Sequence, residues 1–439
     1  MADRHQFSTG ASGLRYLLFI PDGAADLDRS GGRSPLGSAH TPYCDFLARE
    51  GVTGRMHTLY PDLPRESMVA QLGMLGWEPH RFYPHGRASC ELLALEGADL
   101  RDGDLAFRAN LVRFSGRRLQ SYSAGAIQSV VSAPLVAALD RELRREFPDF
   151  ELWHNSDFRN TLVVRGVHVD PRLLHCFEPH ECQGQEFDLE QLVAGRDAAS
   201  ARLAARITSY LRRAAALLAG KQANALFPWS ASRVFRLPAF AEITGFEGRV
   251  AMVAFMDFLK GIAIAGGIEF VRLGNGRPDT DYRAKGGAVV DLLDAGCHFV
   301  ICHVNGPDEA SHLGDRDLKI ASLEAFDRDT VGPGVEWFLR HPEQLGGVMV
   351  MPDHYTNHSL GGGRSEAHSL DPSPFALWNG HDRDEIVRFD EDAALAGRFG
   401  REPLDRLQLL ELLGVSRRRQ AEEGLMAPSR AGHERATSR

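Results

Sequence analysis

Aspartate and histidine residues follow three short apolar segments that lie far apart in this 439-residue chain. Asp22 follows the first segment, and Asp308 and His312 follow the second. Asp353 and His354 follow the third segment, with His368 in the loop beyond. Mixed oxygen and nitrogen ligands suit Mn²⁺ or Zn²⁺ better than Mg²⁺ or Ca²⁺, which prefer oxygen alone. These side chains are enough for two metal ions, which phosphoryl-transfer enzymes use to hold the attacking and leaving oxygens.

Each group of ligands has a simpler interpretation when it is taken alone. Asp22 followed by glycine after a strand is typical of a turn, and Asp353 with His354 is typical of a surface loop or a helix cap. Asp308 and His312 are four residues apart and would share one face of a helical turn. Because all three segments are followed by the same types of side chain, the combination favours a metal site.

Ser67 could supply the nucleophile that a two-metal site needs. It lies where the turn residues LPRE give way to the apolar helical pattern MVAQLGMLG. A serine at the start of a helix is usually only an N-cap. The same position also directs backbone N–H groups towards an anion, which suits a phosphorylated serine, and a bound metal would lower the pKa of the hydroxyl.

The three apolar segments predict the strands that position these residues. They span 16–20, 299–302 and 348–351, and their hydrophobicity is continuous rather than alternating. This pattern is typical of strands that are buried on both faces of a parallel sheet. Helical patterns at 41–50 and 281–293 accompany them, which favours an α/β fold. Because ligands gather outside the carboxyl ends of parallel strands, the metal-type residues are expected to converge there.

The middle of the chain, residues 105–240, has a different pattern. It contains predicted amphipathic helices at 133–147 and 197–218 and a short predicted strand at 161–164. We interpret it as an inserted α+β cap, which would leave a cleft between the cap and the core. The predicted organisation is a metal-binding core at 13–104 and 241–415, the cap at 105–240, and disordered tails at 1–12 and 416–439, of which the second is rich in arginine.

Composition and charge are typical of a soluble globular protein. Apolar residues make up 43% of the chain and charged residues 25%, which are ordinary values. The net charge of −9 argues against a nucleic-acid-binding surface or a basic membrane-binding surface. The sequence shows no apolar stretch long enough to span a bilayer and no signal-peptide core. A cytoplasmic location is therefore expected, and the sequence does not indicate an oligomeric state.

The positions of the cysteines and lysines indicate which kinds of binding site the chain could contain. The six cysteines form no CxxC motif, so they predict neither a disulfide framework nor a cysteine zinc site. The segment HCFEPHEC at 175–182 lacks paired zinc-type spacing, and we interpret it as ordinary loop residues. Lysine occurs only at positions 221, 260, 285 and 319. Each lysine is therefore of interest as a compact charge that could approach a phosphate.

These motifs resemble those of the alkaline phosphatase superfamily and, within it, the archaeal-type cofactor-independent phosphoglycerate mutases. The resemblance covers most of residues 15–415. It is carried by FIPDGAAD, SPLGSAHTPYCDFLAREGVTG, LGMLGWEPHRFYPHGRASCELLALEGADLRDGDLAFRAN, MDFLKGIAIAGGIEF, PDTDYRAKG, HVNGPDEASHLGD, and MPDHYTNHS followed by HSLDPSPF. It implies an alkaline-phosphatase-like α/β core, with a mostly parallel sheet flanked by helices, and an inserted α+β cap.

The resemblance also implies roles for individual residues. One metal ion would be held by Asp22, Ser67, Asp353 and His354, and the other by Asp308, His312 and His368. In this family the serine attacks the phosphoryl group, a phosphoserine forms, and the group returns to the other hydroxyl of the bound glycerate. Lys285 matches the family's lysine that approaches the substrate phosphate, whereas a lysine on a helix surface is the simpler interpretation.

Two segments depart from the family pattern. The family's Ser-Asp-Thr-Ala-His is SMVAQ here, so Met68 and Gln71 stand where the family has an acidic and a basic side chain. The arginine-rich Arg-Arg-Ala-Gly-Arg of the family's cap corresponds to YSAGAI at 122–127, which lacks both flanking charges. Such arginines would bind a carboxylate or phosphate in a bidentate manner. Arg108 and Arg159 remain as candidate contacts to a substrate anion, with a surface salt bridge as the alternative for each.

The sequence therefore predicts a phosphoglycerate mutase-like phosphotransferase with two divalent metal ions, Mn²⁺ or Zn²⁺ rather than Mg²⁺, and a small phosphorylated carboxylate as substrate. The altered segments leave a second hypothesis open: a phosphatase or a mutase-like enzyme that acts on another phosphorylated or phosphonate carboxylate. A third hypothesis is a metal-bound but inactive binding protein. The complete set of metal-site residues argues against the third, because a decayed enzyme has no physical need to keep them.

Overall fold

The computed structural model describes residues 13–30, 32–360 and 367–416. The predicted tails at 1–12 and 416–439 lie outside the described residues, apart from Ser416. The strands are β1 (Arg15–Pro21), β2 (Val52–Met56), β3 (Leu105–Ser115), β4 (Arg118–Ser121), β5 (Phe150–Ser156), β6 (Arg159–Val164), β7 (Leu174–Cys176), β8 (Val193–Gly195), β9 (Ala225–Ser232), β10 (Val250–Ala254), β11 (Glu269–Arg272), β12 (Phe299–Val304), β13 (Leu345–Val350), β14 (Tyr355–Thr356), β15 (His368–Ser369), β16 (Ser373–Trp378) and β17 (Phe399–Leu404).

The α-helices are α1 (Pro35–Ser38), α2 (Pro42–Arg49), α3 (Ser67–Met74), α4 (Pro79–Phe82), α5 (Ala88–Leu93), α6 (Ser129–Leu143), α7 (Ala198–Leu218), α8 (Phe240–Thr244), α9 (Asp257–Gly266), α10 (Tyr282–Asp294), α11 (Gly306–His312), α12 (Arg316–Phe326), α13 (Gly332–Arg340), α14 (Glu391–Ala396) and α15 (Arg406–Leu413). A π-helical turn, Asp327–Val331, joins α12 to α13. Among the helices of the described ranges, none is long and apolar enough to cross a membrane.

The larger sheet has eight strands in the order β11-β10-β12-β1-β13-β16-β2-β17. β1 pairs in parallel with both β12 and β13, and β10 pairs in parallel with β11 and β12. β16 is antiparallel to its neighbours β13 and β2. Parallel pairing predominates and helices cover the sheet, so the predicted α/β fold class with a mostly parallel, helix-flanked sheet is confirmed.

The three predicted strands correspond to β1, β12 and β13, and they are buried on both faces. In β1, Leu17 and Phe19 belong to the apolar core on one face of the sheet, and Leu18 and Ile20 to the core on the other. Helices α2, α10 and α13 close the first core, and α3, α9 and α15 close the second. Burying a side chain of this size stabilises the fold by about 1.5–3 kcal/mol, which holds the strand ends in place.

The predicted helices of the core begin and end close to where the sequence places them. The helix predicted at 41–50 is α2, and the one predicted at 281–293 is α10. Asp281 caps α10, because its side chain accepts the N–H of Ala284 at 2.8 Å. Both predictions are confirmed.

A second sheet is built from the segment between β3 and β9. β3 pairs antiparallel with β4, β6 and β9, and β5 pairs antiparallel with β6. This sheet packs with α6 and α7 around an apolar core whose buried members all lie between Leu105 and Ala231. The predicted insertion at 105–240 covers the same residues, and its exact boundaries stay a prediction.

One helix of this segment differs from the prediction. α6 begins at Ser129 and ends at Leu143, whereas a helix was predicted at 133–147. Asp157, in the β5–β6 hairpin, accepts both the N–H and the hydroxyl of Ser129 at 2.9 and 3.0 Å and so sets the early start through a tertiary contact. Pro134 lies within the helix rather than at its first turn. The helix predicted at 197–218 is α7, and the strand predicted at 161–164 is the end of β6.

Candidate active site

The strand ends that precede the predicted ligands are neighbours in the larger sheet. β12, β1 and β13 are adjacent and parallel, so their carboxyl ends lie at the same edge. Gly23, which follows Asp22, has a φ of +58°. A Cβ at Gly23 would lie 2.3 Å from Thr356 Oγ1 and 2.6 Å from Asp308 Oδ1. The close approach of these segments therefore requires glycine at this turn.

Asp22, Asp353 and His354 form a first group of potential metal ligands. One ligand atom of each lies within 4.8 Å of the others. His354 Nε2 is 3.5 Å from Asp22 Oδ1 and 3.6 Å from Asp353 Oδ2. The backbone N–H groups of Gly23 and His354 donate to Asp353 Oδ1 at 3.1 and 3.0 Å, which fixes the orientation of this carboxylate.

Asp308, His354 and His368 form a second group, again within 4.8 Å of one another. Helix α11 presents Asp308 and His312 on one face, as predicted, with His312 Nε2 3.3 Å from Asp308 Oδ2. The pairing of β14 with β15 sets Thr356 opposite His368 and brings His368 Nε2 to 3.5 Å from Asp308 Oδ1. His354 belongs to both groups, so the two potential sites are contiguous.

The electrostatics of these groups fit divalent cations. Burial, followed by the charges of Asp353 and Asp308, raises the pKa of Asp22 well above its usual value, and burial also raises the pKa of Asp353. Burial opposes ionisation of Asp308, but His312 and His368 hold the pKa of that carboxyl well below its usual range. Asp22 Oδ1 is buried and has no hydrogen-bond partner among the described residues. A cation would relieve the repulsion and satisfy this oxygen.

The raised pKa values give a pH-dependent prediction for Asp353→Asn. The folded protein keeps protons on the Asp22–Asp353 pair above the unfolded pKa of about 4, so its stability falls as pH rises through the raised pKa. Removing one charge should therefore stabilise the metal-free protein by about 1–3 kcal/mol at pH 8, with a smaller gain at pH 5. Guanidinium unfolding in EDTA measures both values. An equal gain at both pH values, or a loss at pH 8, would contradict the prediction.

Ser67 is the first residue of α3 and lies against the first ligand group. Its Oγ is 3.1 Å from His354 Nε2. The other residues of α3 are buried, so the helix that carries Ser67 is anchored in the core. Glu66 occupies the N-cap position, so the interpretation of Ser67 as a simple N-cap is wrong.

Lys285 is fully buried in α10, with 0% of its surface exposed. Its Nζ donates to the backbone carbonyl of His303 at 2.6 Å, which places the charge at the carboxyl end of β12. The alternative of a lysine on a helix surface is therefore wrong. His303 is also buried, its Nε2 is 3.5 Å from Asp22 Oδ2, and burial lowers its pKa to about 4. His303 directly follows the apolar segment predicted at 299–302 and received no role from the sequence, and the structure includes it in β12.

Arg108 lies in β3 at the junction between the second sheet and the core. Its Nε is 2.9 Å from Glu91 Oε2 in α5, with about a tenth of each side chain exposed, and its guanidinium lies 4.1 Å from the Trp229 ring centre. The surface salt bridge considered for Arg108 is therefore wrong. Arg87, which the sequence analysis did not single out, shares the same carboxylate at 3.5 Å. Burial lowers the pKa of Arg87, but the charges of Glu91, Glu66 and Glu178 outweigh it and raise that pKa above its usual value.

Arg159 lies in the second sheet. Arg159 begins β6, and its guanidinium lies 4.3 Å from the Phe158 ring centre. The altered segment at 122–127 forms a tight turn in which Ala124 and Ala126 have positive φ values of 49° and 55°, a conformation that is strained for residues other than glycine. Tyr122, at the start of this turn, contacts Phe158 with a ring separation of 5.7 Å.

The segment at 175–182 brings together carboxylates and a histidine rather than cysteines. Potential ligand atoms of Glu178, His180 and Glu181 lie within 4.8 Å of one another, whereas Cys176 and Cys182 are free thiols. Exposed acidic groups of this kind are common on protein surfaces without a metal. We retain the interpretation of this segment as loop residues.

Comparisons with known proteins agree on one family. The model of the family described as 2,3-bisphosphoglycerate-independent phosphoglycerate mutase matches residues 48–224. A protein of Methanosarcina barkeri with that name is 31% identical over 405 residues, which cover 88% of this chain and 96% of the relative. A Geobacter sulfurreducens protein named as a probable mutase of the same kind is 30% identical over 425 residues, covering 91% and 99%.

Solved structures agree with the fold. A Pyrococcus horikoshii protein superposes with a TM-score of 0.68 at 24% identity, covering 93% of this chain and 100% of that one. The cofactor-independent phosphoglycerate mutase of Thermoplasma acidophilum superposes with a TM-score of 0.56 at 23% identity, covering 91% and 99%. At these identities the structures establish the fold alone. The length and identity of the sequence matches go further, and on them the chain belongs to the family of 2,3-bisphosphoglycerate-independent phosphoglycerate mutases.

Proposed function

We propose that this protein is an enzyme that interconverts 3-phosphoglycerate and 2-phosphoglycerate, a glycolytic isomerisation, through a phosphoserine at Ser67. The observation that carries the proposal is the position of Ser67 Oγ, 3.1 Å from His354 Nε2, a residue that belongs to two buried groups of potential metal ligands. The names of the relatives support the same reaction. Expected partners are a small phosphorylated carboxylate and no nucleic acid or membrane, and we place the enzyme in the cytoplasm.

Two divalent ions are part of the proposal. We assign Asp22, Ser67, Asp353 and His354 to one ion, and Asp308, His312 and His368 to the other. The mixture of carboxylate and imidazole favours Mn²⁺ or Zn²⁺ over Mg²⁺. When bound, such ions would lower the pKa of the Ser67 hydroxyl and offset the charge of the phosphoryl oxygens.

The residues around Ser67 support both halves of the phosphoryl transfer. In the first half, the Ser67 oxygen forms a bond to phosphorus while the bond to the glycerate oxygen breaks. In the second half, the other glycerate hydroxyl attacks the phosphoserine and Ser67 leaves. The N–H groups at the start of α3 stabilise the charge on the phosphoryl oxygens in both halves, and Lys285 supplies a buried positive charge near the strand ends.

Arg108 and Arg87 are the proposed anchor for the substrate's negative charge on the side of the second sheet. Two guanidinium groups lie against the single carboxylate of Glu91 at 2.9 and 3.5 Å, and Glu66 and Glu178 also act on Arg87. Because Arg108 is mostly buried, water would screen its attraction for a substrate anion less than at an exposed site. Arg159 remains a proposed contact to a substrate anion, with a surface salt bridge as its alternative.

Arg108→Gln is expected to raise KM by about 10–100-fold, because a charge-assisted hydrogen bond contributes about 1.5–3 kcal/mol. Glu91 keeps Arg87 as a partner, so metal binding should not change. Arg165→Gln serves as the control, since Arg165 forms ion pairs with Asp104 and Glu151 within and beside the second sheet. Steady-state kinetics should show a raised KM for the first variant and a wild-type KM for the second. A wild-type KM for Arg108→Gln would contradict the anchor.

A second candidate function is favoured by the altered segments at the nucleophile and in the cap. Gln71 replaces a basic side chain near Ser67, and the turn at 122–127 carries no charged residue. The same ligand groups could then serve a phosphatase, or a mutase-like enzyme for another phosphorylated or phosphonate carboxylate. An inactive metal-bound protein is the remaining alternative.

Phosphorus NMR of pure protein with Mn²⁺ and 3-phosphoglycerate separates these functions. The proposal predicts the signal of 2-phosphoglycerate without a matching rise in inorganic phosphate, and its loss in EDTA. Release of inorganic phosphate as the main product would favour the phosphatase. Neither product, with Mn²⁺ bound, would refute the isomerase and direct the search to other phosphorylated or phosphonate carboxylates.

A further inference from the structure

Two buried carboxamide side chains flank the two carboxylates of the first ligand group. Gln71 lies one helical turn after Ser67 in α3, and its Nε2 donates to Asp353 Oδ2 at 3.2 Å. Asn305, between β12 and α11, donates from Nδ2 to Asp22 Oδ2 at 3.1 Å. Gln71 is 0% exposed and Asn305 is 4% exposed. Each aspartate therefore has one neutral amide donor of its own.

The oxygens of both amides lack partners. Gln71 Oε1 and Asn305 Oδ1 are buried without a hydrogen-bond partner among the described residues. Turning either amide over would not help, because its carbonyl oxygen would then face a carboxylate oxygen, and both are acceptors. Buried polar atoms are nearly always paired in folded proteins. Two unpaired oxygens in one ligand group therefore indicate that a donor arrives when the site is filled.

We propose that Gln71 and Asn305 are a pair of positioning residues that aim Asp353 and Asp22 at a divalent cation and accept hydrogen bonds from water molecules bound to that cation. We call this pair the carboxamide clamp. The inference rests on the proposed function to the extent that it requires a metal ion at Asp22, Asp353 and His354.

Neutral donors are suited to this task. An amide N–H group holds a carboxylate in place without cancelling its negative charge, so the carboxylate remains available to the cation. A lysine or a protonated histidine at the same distance would compete with the cation for that charge. The two amides act on different carboxylates and come from different elements, α3 and the β12–α11 junction, so they constrain the ligand group from two sides.

The clamp predicts different effects on metal binding and on the stability of the metal-free protein. Gln71→Leu and Asn305→Leu should each weaken Mn²⁺ binding by about 10–100-fold, the usual effect of removing a partner of a metal ligand. The same variants should have a Tm in EDTA no lower than that of the wild type, because the removal of an unpaired buried oxygen offsets the loss of one amide donor to a carboxylate. Gln71→Met offers a second apolar side chain of a different shape.

Asn160→Leu is the matched control, since it makes the same change at a buried asparagine whose bonds are satisfied. Asn160 Nδ2 donates to the carbonyl of Ala109 at 3.0 Å, and its Oδ1 lies 2.9 Å from His154 Nδ1. This variant should lower the Tm in EDTA by at least about 2 °C and leave the Mn²⁺ affinity unchanged. The control thus separates loss of a structural bond from loss of the clamp.

Isothermal titration with Mn²⁺ and thermal unfolding in EDTA test the inference on the full chain. Weakened Mn²⁺ binding with an unchanged or raised Tm supports the clamp, whether or not the wild type isomerises phosphoglycerate, so the two proposals can fail separately. Wild-type affinity in both leucine variants would overturn the clamp alone. A lowered Tm in parallel with a lowered affinity would also overturn it. A wild-type protein that binds no Mn²⁺ would overturn the clamp together with the metal assignment.

Discussion

Ser67→Ala is expected to lower kcat for isomerisation by a factor on the order of 10⁴ or more, because the variant lacks the oxygen that receives the phosphoryl group. Ser67 Oγ is the atom that faces His354 Nε2 from the start of α3, and the alanine side chain offers no oxygen in its place. The substitution removes a single oxygen at a half-buried position, so the fold should remain intact. Kinetics with 3-phosphoglycerate and Mn²⁺ measure the loss.

Ser129→Ala is the control for this change. Ser129 is also the first residue of a helix, α6, and its hydroxyl donates to Asp157 at 3.0 Å, far along the chain from the ligand groups. This variant should keep the wild-type kcat and lose a little stability at the start of α6. Activity in Ser67→Ala above a hundredth of the wild-type value would contradict the assignment of Ser67 as nucleophile.

Asp308→Asn is expected to reduce the bound metal from two ions to one per chain and to lower kcat by a factor on the order of a thousand, equivalent to about 4 kcal/mol. Asp308 faces His312 at 3.3 Å and His368 at 3.5 Å, and it accepts the hydroxyl of Thr356 at 2.8 Å. Burial lowers the pKa of His368, whereas Asp308 raises it. The substitution removes this charge, so both histidines lose the carboxylate that they face.

Elemental analysis of the purified protein and steady-state kinetics measure the two effects of Asp308→Asn. Asp317→Asn provides the control, because Asp317 lies in α12 outside both ligand groups. The control should retain two ions and the wild-type rate. Two ions and full activity in Asp308→Asn would contradict the assignment of Asp308 to a metal.

The sheet, and the convergence of the predicted ligand residues at its edge, follow from local patterns in the sequence. Continuous apolar runs indicate strands buried on both faces, and β1, β12 and β13 follow from them. Parallel strands place their carboxyl ends at one edge, so Asp22, Asp308 and Asp353 are brought together by topology alone. The spacing of four residues between Asp308 and His312 is a property of one helical turn and needs no knowledge of the rest of the fold.

Features set by tertiary contacts could not be predicted in this way. The start of α6 depends on Asp157 in a distant hairpin. The pairing of Arg87 and Arg108 on Glu91 joins α5 to β3, and the local sequence does not show that their side chains share one carboxylate. The rarity of lysine in the sequence singles out Lys285, but the burial of its side chain against the carbonyl of His303 depends on the packing of α10 on β12.

The carboxamide clamp is a further case of this kind. Gln71 is visible in the sequence as a departure from the family pattern, yet its contact with Asp353 joins α3 to the end of β13. Asn305 carries no signal in the sequence, because a residue between a strand and a helix is commonly a cap. Their common function as donors to the two carboxylates emerges only when both contacts are seen together.

Detection of a phosphoryl group on Ser67 during turnover tests the central claim most directly. Protein mixed with 3-phosphoglycerate and Mn²⁺ is quenched in acid within the first turnovers, digested, and analysed by mass spectrometry of the peptide that contains Ser67. Phosphorylation of Ser67 that appears with substrate, and disappears when substrate is exhausted and removed, is the predicted result. Isomerisation that proceeds while Ser67 remains unmodified, or while another residue carries the phosphoryl group, would contradict it.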